Sequence, residues 1–140
     1  MNLTRRTDFA LRTLMYLGKS ALENPGKPVP SAQIAQTFDI PLNHLIKIVN
    51  DLSRRGYIRS IRGPGGGVSL AIDPGELRLG YLIEDLQGPM QLHECVNAQG
   101  YCVIETICKL RSIFRDADAV QREFLNGHTL ADIIPDSQSI

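Results

Sequence analysis

Three cysteines, Cys95, Cys102 and Cys108, fall within fourteen residues of a 140-residue chain. An odd, clustered set makes a poor disulfide framework. Thiolates in the pattern Cys95-x6-Cys102-x5-Cys108 suit soft metals: zinc, copper(I) or the iron of a cluster. On one helix, Cys102 and Cys108 would point about 120° apart, so a helix is expected to begin between them. Thr106 as its N-cap would place Cys108 in the first turn, where the helix dipole favours an anionic sulfur. His93 lies near enough in sequence to complete a Cys3His zinc set, although its spacing matches no common zinc pattern. Three buried or free thiols are the plainer alternative.

A second constellation is polar and basic. The segment from Leu42 to Arg55 reads as a helix with Leu45, Ile48, Val49 and Leu52 inward and Asn43, His44, Lys47, Asn50 and Asp51 outward. Asn43, His44 and Lys47 cluster at its start, the end that a recognition helix pushes into the major groove. Asn can pair with adenine, Lys can donate to guanine, and His44 can meet a base or a phosphate. Ser31 and Gln33 begin the preceding short helix, whose free N–H groups attract phosphate. Arg59 and Arg62 flank a glycine-rich tip, where Gly65 and Gly66 would let a DNA backbone approach closely. An ordinary solvated helix face and an idle turn are the alternatives. No Lys-Ser/Thr follows the glycines, so the tip is not a phosphate-binding P-loop.

The elements that must position these groups follow from periodicity and breakers. A first helix is expected from Thr7 to about Leu22, capped by Thr4 or Thr7. Ser31 is expected to cap a helix over Ala32–Phe38, and Pro41 to sit near the start of the next, which Gly56 ends. Tyr57–Ile61 and Val68–Ile72 read as a hairpin. That order is a mainly α, winged helix-turn-helix with a two-stranded wing. A further helix is expected over Leu79–Leu86. A long one follows over Thr106–Asn126, stopped by Gly127. It carries Leu110, Ile113, Ala117, Val120 and Phe124 in a heptad stripe that suits a partner helix or packing within the chain. Residues 1–75 are read as the DNA-binding domain, and residues 76–140 as the cysteine loop and dimerisation helix.

Net charge is zero, yet residues 1–70 carry ten Lys/Arg against four Asp/Glu, and residues 71–140 carry five against eleven. This asymmetry points to one half that meets a polyanion. No run approaches the roughly 18 apolar residues of a membrane span, and no apolar leader with a cleavage site is visible. A cytoplasmic protein without membrane contact is the expectation. His44, His93 and His128 are scattered and no nucleophile–base pair is evident, which speaks against an enzyme.

Together these pieces resemble the iron–sulfur winged-helix repressors typified by NsrR and IscR. The resemblance runs from about Met1 to Ile134. It rests on Leu3-Thr4-x-x-Thr7-Asp8-Phe9-Ala10-Leu11-Arg12 and Asn43-His44-Leu45-x-Lys47-Ile48-Val49-Asn50. It continues in Arg62-Gly63-x-x-Gly66-Gly67, Cys102-x5-Cys108-x-Leu110 and Thr129-Leu130-Ala131-Asp132-Ile133. Thr7-Asp8, Asn43-His44 and the Thr129–Asp132 tail direct it to the nitric-oxide-sensing branch. It implies a homodimer on a palindromic double-stranded operator, with no catalytic role. It also implies an iron–sulfur cluster, [4Fe–4S] ahead of [2Fe–2S], on Cys95, Cys102, Cys108 and Asp8 of the partner subunit. Nitrosylation of that cluster would release the promoter. Six residues between Cys95 and Cys102 exceed the four or five common in the family, a departure shared by iron-responsive relatives. Two other readings remain: the same fold answering to iron or redox state, and a zinc-stabilised interaction module.

Overall fold

The computed structural model describes residues 2–136. It is mainly helical, with one two-stranded sheet. The chain forms two compact units: residues 4–77 with 129–136, and residues 2–3 with 78–128. A single division after residue 75 therefore does not describe the end of the chain, because the segment from Thr129 belongs with the first unit.

In the first unit, α1 spans Arg5–Glu23. Thr4 caps it by accepting the Thr7 N–H at 3.1 Å, while Thr7 itself is buried. α2 spans Ser31–Phe38 and α3 spans Leu42–Arg54. Ser31 is the first helical residue rather than the cap, because Pro30, with φ near −60° and extended ψ, already supplies the cap conformation. Asp39 closes α2 at φ +52°, and Ile40 N–H reaches back to Ala35 O at 2.9 Å. Pro41 caps α3, its carbonyl accepting from His44 and Leu45. Leu14, Leu17, Ile34, Leu45 and Leu52 are almost fully buried and join the three helices in one core. The periodicity of α3 holds with one exception: Asp51, expected outward, is 4% exposed. Its carboxylate is drawn in by three guanidinium groups.

β1 (Ile58–Ile61) and β2 (Gly67–Leu70) pair antiparallel, with Ile58 opposite Leu70 and Ile61 opposite Gly67. Val29 adds a bridge to Val68. A Cβ at Gly67 would meet the Val29 carbonyl, and one at Gly66 would meet the Ile61 carbonyl. Glycine at these two positions is thus required by the wing's own packing. α6 (Leu130–Ile133) closes the unit. It starts at a Thr129–Asp132 capping box, in which the Asp132 carboxylate accepts the Thr129 N–H at 2.7 Å.

In the second unit, α4 spans Leu79–Gln87 and α5 spans Lys109–Asn126. Leu82, Ile83, Met90 and Val96 form its apolar centre. The Asn126 side chain accepts the Tyr81 N–H at 3.0 Å, close against Gly80, where no Cβ would fit. Asp118, buried on α5, accepts the Leu92 N–H at 2.8 Å. α5 starts later than Thr106, because tight turns (Glu105 N–H to Cys102 O, Ile107 N–H to Ile104 O) occupy the preceding residues. Cys108 is consequently the cap residue and does not lie within the first turn.

Candidate nucleic-acid interface and cysteine centre

The first unit assembles the basic face. Pro41, Asn43, His44 and Lys47 are exposed at the start of α3, as the sequence pattern requires. Arg5, Arg6, Phe9, His44, Lys47 and Ile48 line one surface pocket of about 440 Å³. Four of these six carry a basic side chain, so the pocket's mouth suits a phosphate group. The base-reading pattern does not mark Arg5 and Arg6; the signal for them is two arginines opening a helix that packs on α3. Gln33 is exposed but engaged, its Nε2 donating to the Tyr16 hydroxyl at 2.7 Å. Arg59 and Arg62 are exposed on the wing, and Gly65 lies at its exposed tip.

Asp51 fixes α3 from behind. Its carboxylate lies 3.0 Å from Arg6, 2.6 Å from Arg54 and 3.1 Å from Arg55. Burial pushes its carboxyl pKa up, but hydrogen bonds from Arg54 and Arg55 and the charges of Arg55 and Arg6 outweigh that and hold it below the usual carboxylate range. Arg6 thereby links the first turn of α1 to α3. The Ser53 and Ser60 hydroxyls, 3.1 Å apart, link that helix to the wing. Asp8, two residues after Arg6, is paired with Arg12 on its own helix, both oxygens 3.1 Å from Nε.

The second unit carries the cysteines. All three are free thiols; Cys102 is exposed, and Cys95 and Cys108 are partly exposed. Cys95 lies in a 3₁₀ turn over Glu94–Val96. His93 caps that turn, its Nδ1 accepting the Cys95 N–H at 3.2 Å, and its ring stands edge-on to Tyr101. Among the described residues, no three His, Cys, Asp or Glu side chains are gathered closely enough to hold a metal ion. The donor set nevertheless fits an iron–sulfur cluster: three free thiols, on one short segment, with no competing disulfide. The buried Arg111 Nε–H, close by in sequence, has no acceptor among the described residues.

Glu105 and Arg111, neither evident from spacing, organise this segment. The Glu105 carboxylate accepts the Tyr101 N–H at 3.1 Å. The Gly100 N–H contributes most to lowering its pKa; partial burial opposes this, and Tyr101, Arg111 and Cys102 add to the lowering. Along α5, Leu110, Ile113, Val120 and Phe124 are exposed and Ala117 is partly so. The heptad stripe is therefore not consumed by packing within the chain. No described helix is long and apolar enough to cross a membrane.

Known proteins share this architecture. Residues 3–136 match the Rrf2 family model, described as an iron-dependent transcriptional regulator. The HTH-type transcriptional regulator NsrR of Bacillus subtilis is 35% identical, over 100% of this chain and 94% of its own. That of Geobacillus kaustophilus is 38% identical, with the same coverage. The solved structure of CymR, the global cysteine regulator of B. subtilis, shares the fold with a TM-score of 0.77 at 24% identity, over 96% of each chain. T. potens IscR does so with a TM-score of 0.76 at 20% identity, over 100% of this chain and 92% of its own. The winged helix-turn-helix expected from the sequence is the fold these structures share, and the chain is a regulator rather than an enzyme. By the match over nearly its whole length, the chain belongs to the Rrf2 family of iron-dependent transcriptional regulators.

Proposed function

We propose that the chain is a cytoplasmic, homodimeric repressor that reads a palindromic operator and gives it up on meeting nitric oxide. The observation that carries the sensing half is the set of three free thiols on one fourteen-residue segment. Cys95, Cys102 and Cys108, with Asp8 of the partner subunit, would hold an iron–sulfur cluster, [4Fe–4S] ahead of [2Fe–2S]. Such a group supplies iron that binds nitric oxide, and a carboxylate oxygen is the weakest of the four ligands.

The remaining steps belong to the chain. α5 presents Leu110, Ile113, Val120 and Phe124 to a second copy. A two-fold pair of α3 helices then faces successive major grooves. Asn43, His44 and Lys47 read bases; Arg5, Arg6 and the N-terminus of α2 hold phosphates; Arg59 and Arg62 carry the wing to the backbone or minor groove. To serve a partner, Asp8 must leave Arg12. Any shift of its helix turn is passed by Arg6 to Asp51, and so to α3. Ligation by Asp8 and the attitude of the reading helix are thus mechanically joined.

The test is purification without oxygen, with iron, sulfide and zinc measured per chain. A visible spectrum and operator affinity are then taken before and after nitric oxide. Iron and sulfide, with affinity lost on nitric oxide, is the expected result. Zinc alone, or affinity indifferent to nitric oxide, would overturn the sensing mechanism. Asp8→Ala should uncouple affinity from the gas. The wide Cys95–Cys102 spacing favours a second reading, in which the signal is iron supply. Loss of operator binding with an iron chelator but not with nitric oxide would select it.

A further inference from the structure

Cys95, Cys102 and Cys108 sit on three different pieces of backbone: a 3₁₀ turn, a run of tight turns and the cap of α5. One side-chain pair, Arg111 with Glu105, ties all three together. Arg111 lies in the first turn of α5, so it and Cys108 belong to the same helix end. Its Nη2 donates to Ala98 O at 2.9 Å and Val96 O at 3.4 Å, carbonyls that follow closely after Cys95. Its Nη1 lies 3.7 Å from Oε2 of Glu105. That carboxylate in turn gathers the N–H groups of Gly100, Tyr101 and Cys102.

The Arg111 and Glu105 side chains are 17% and 22% exposed, so water competes only in part for these bonds. A planar fork can serve two carbonyls and a carboxylate at once; a lysine ammonium is a single point donor. An apolar side chain at this place would avoid the orphaned Nε–H, so packing alone does not account for arginine.

We propose that Arg111, working through Glu105, is a positioning residue that ties the three cysteine-bearing backbone pieces to one another in the metal-free chain, so that uptake of a soft metal or cluster has only to draw together thiols that are near in the fold but not yet gathered. This rests on the reading of the three cysteines as one metal centre. The tie is made by neutral carbonyls and one ion pair, none of which the metal needs as ligands. It therefore exists before loading.

The test uses the full metal-free chain as wild type, Arg111→Lys, Arg111→Met and Glu105→Gln. One readout needs no metal: the rates at which the thiols react with a disulfide reagent, together with amide exchange at Gly100, Tyr101 and Cys102. The other is a Zn²⁺ titration against a competing chelator. Arg111→Lys is expected to expose the thiols several-fold and to weaken Zn²⁺ binding by roughly ten-fold or more. Glu105→Gln should act in the same direction, and adding it to Arg111→Lys should change little more. Wild-type thiol rates and Zn²⁺ affinity in Arg111→Lys would overturn the proposal. If Arg111→Met fails to fold, the lysine and glutamine variants still decide. A wild type that takes up no Zn²⁺, with variants whose thiols still react faster, would sink the metal-centre reading while supporting the positioning role.

Discussion

Asp51 and Arg111 are the charged hubs of their respective units, and their surroundings differ. Asp51 is nearly inaccessible and stands behind a helix whose other inward residues, Leu45, Ile48, Val49 and Leu52, are apolar and buried. Arg111 stands among turns, tied to carbonyls and one carboxylate, next to a run in which Val103, Ile104 and Ile107 are exposed. The basic face is thus built on hydrophobic burial, with polar contacts as trim. The cysteine segment is built the other way round. A region held by a few polar ties opens locally at lower free-energy cost than one held by a buried core.

The contrast can be broken most forcefully in the core. Leu52→Ala should cost about 2–5 kcal/mol and abolish operator binding, as read by urea unfolding and a binding assay. Asp51→Asn should cost less, about 1–3 kcal/mol, because its arginine partners are partly solvated. Its signature is in the pH profile. The lowered pKa means that the wild-type carboxylate contributes fully above the ordinary value of 3.8, and that the contribution is lost as pH falls through the lowered folded value. Unfolding curves from pH 6 to 3 should therefore fall more steeply for wild type than for the asparagine variant. Lys47→Ala should leave stability unchanged, weaken operator binding by about ten-fold and relax base preference at the position that it meets, as read by a binding assay over operator variants. The smallest effect is expected at Glu105→Gln: an unmoved thermal midpoint, with faster amide exchange confined to Gly100, Tyr101 and Cys102. A lowered midpoint there would show that the cysteine segment carries part of the fold, and the contrast would fail.

The same division governs what could be read from the sequence. α1, α3 and α5 declare themselves through apolar spacing, and the wing through its glycines, because each is a local consequence of chain geometry. Gly66 shows a limit of such reading. Its composition suggested room for DNA, whereas the absence of a Cβ is already demanded by the Ile61 carbonyl. Periodicity misplaces Asp51 because it assigns an acidic residue to solvent, and only the fold brings Arg6 from another helix to join Arg54 and Arg55. α6 escapes a reading by periodicity although Thr129-x-x-Asp132 is a capping signature, because four residues carry too little of a repeat. The Glu105–Arg111 ties were illegible for a different reason: hydrogen bonds to backbone carbonyls and amides leave no pattern in residue types.

The return of the chain at Thr129 has a consequence for how this protein is put together. Within the first unit, the Leu130 N–H meets the Leu77 carbonyl at 2.8 Å, although more than fifty residues lie between them. Within the second, the Leu79 N–H meets the His128 carbonyl at 2.9 Å. Each unit therefore closes its own gap with a backbone bond. A short linker from residue 77 to residue 130 would bring together ends that already touch, at little loop-closure entropy. The cysteine-bearing unit is, in topological terms, a cassette spliced into a reader. Cassettes of other lengths and chemistries could be exchanged at the same splice without redesigning the part that meets DNA.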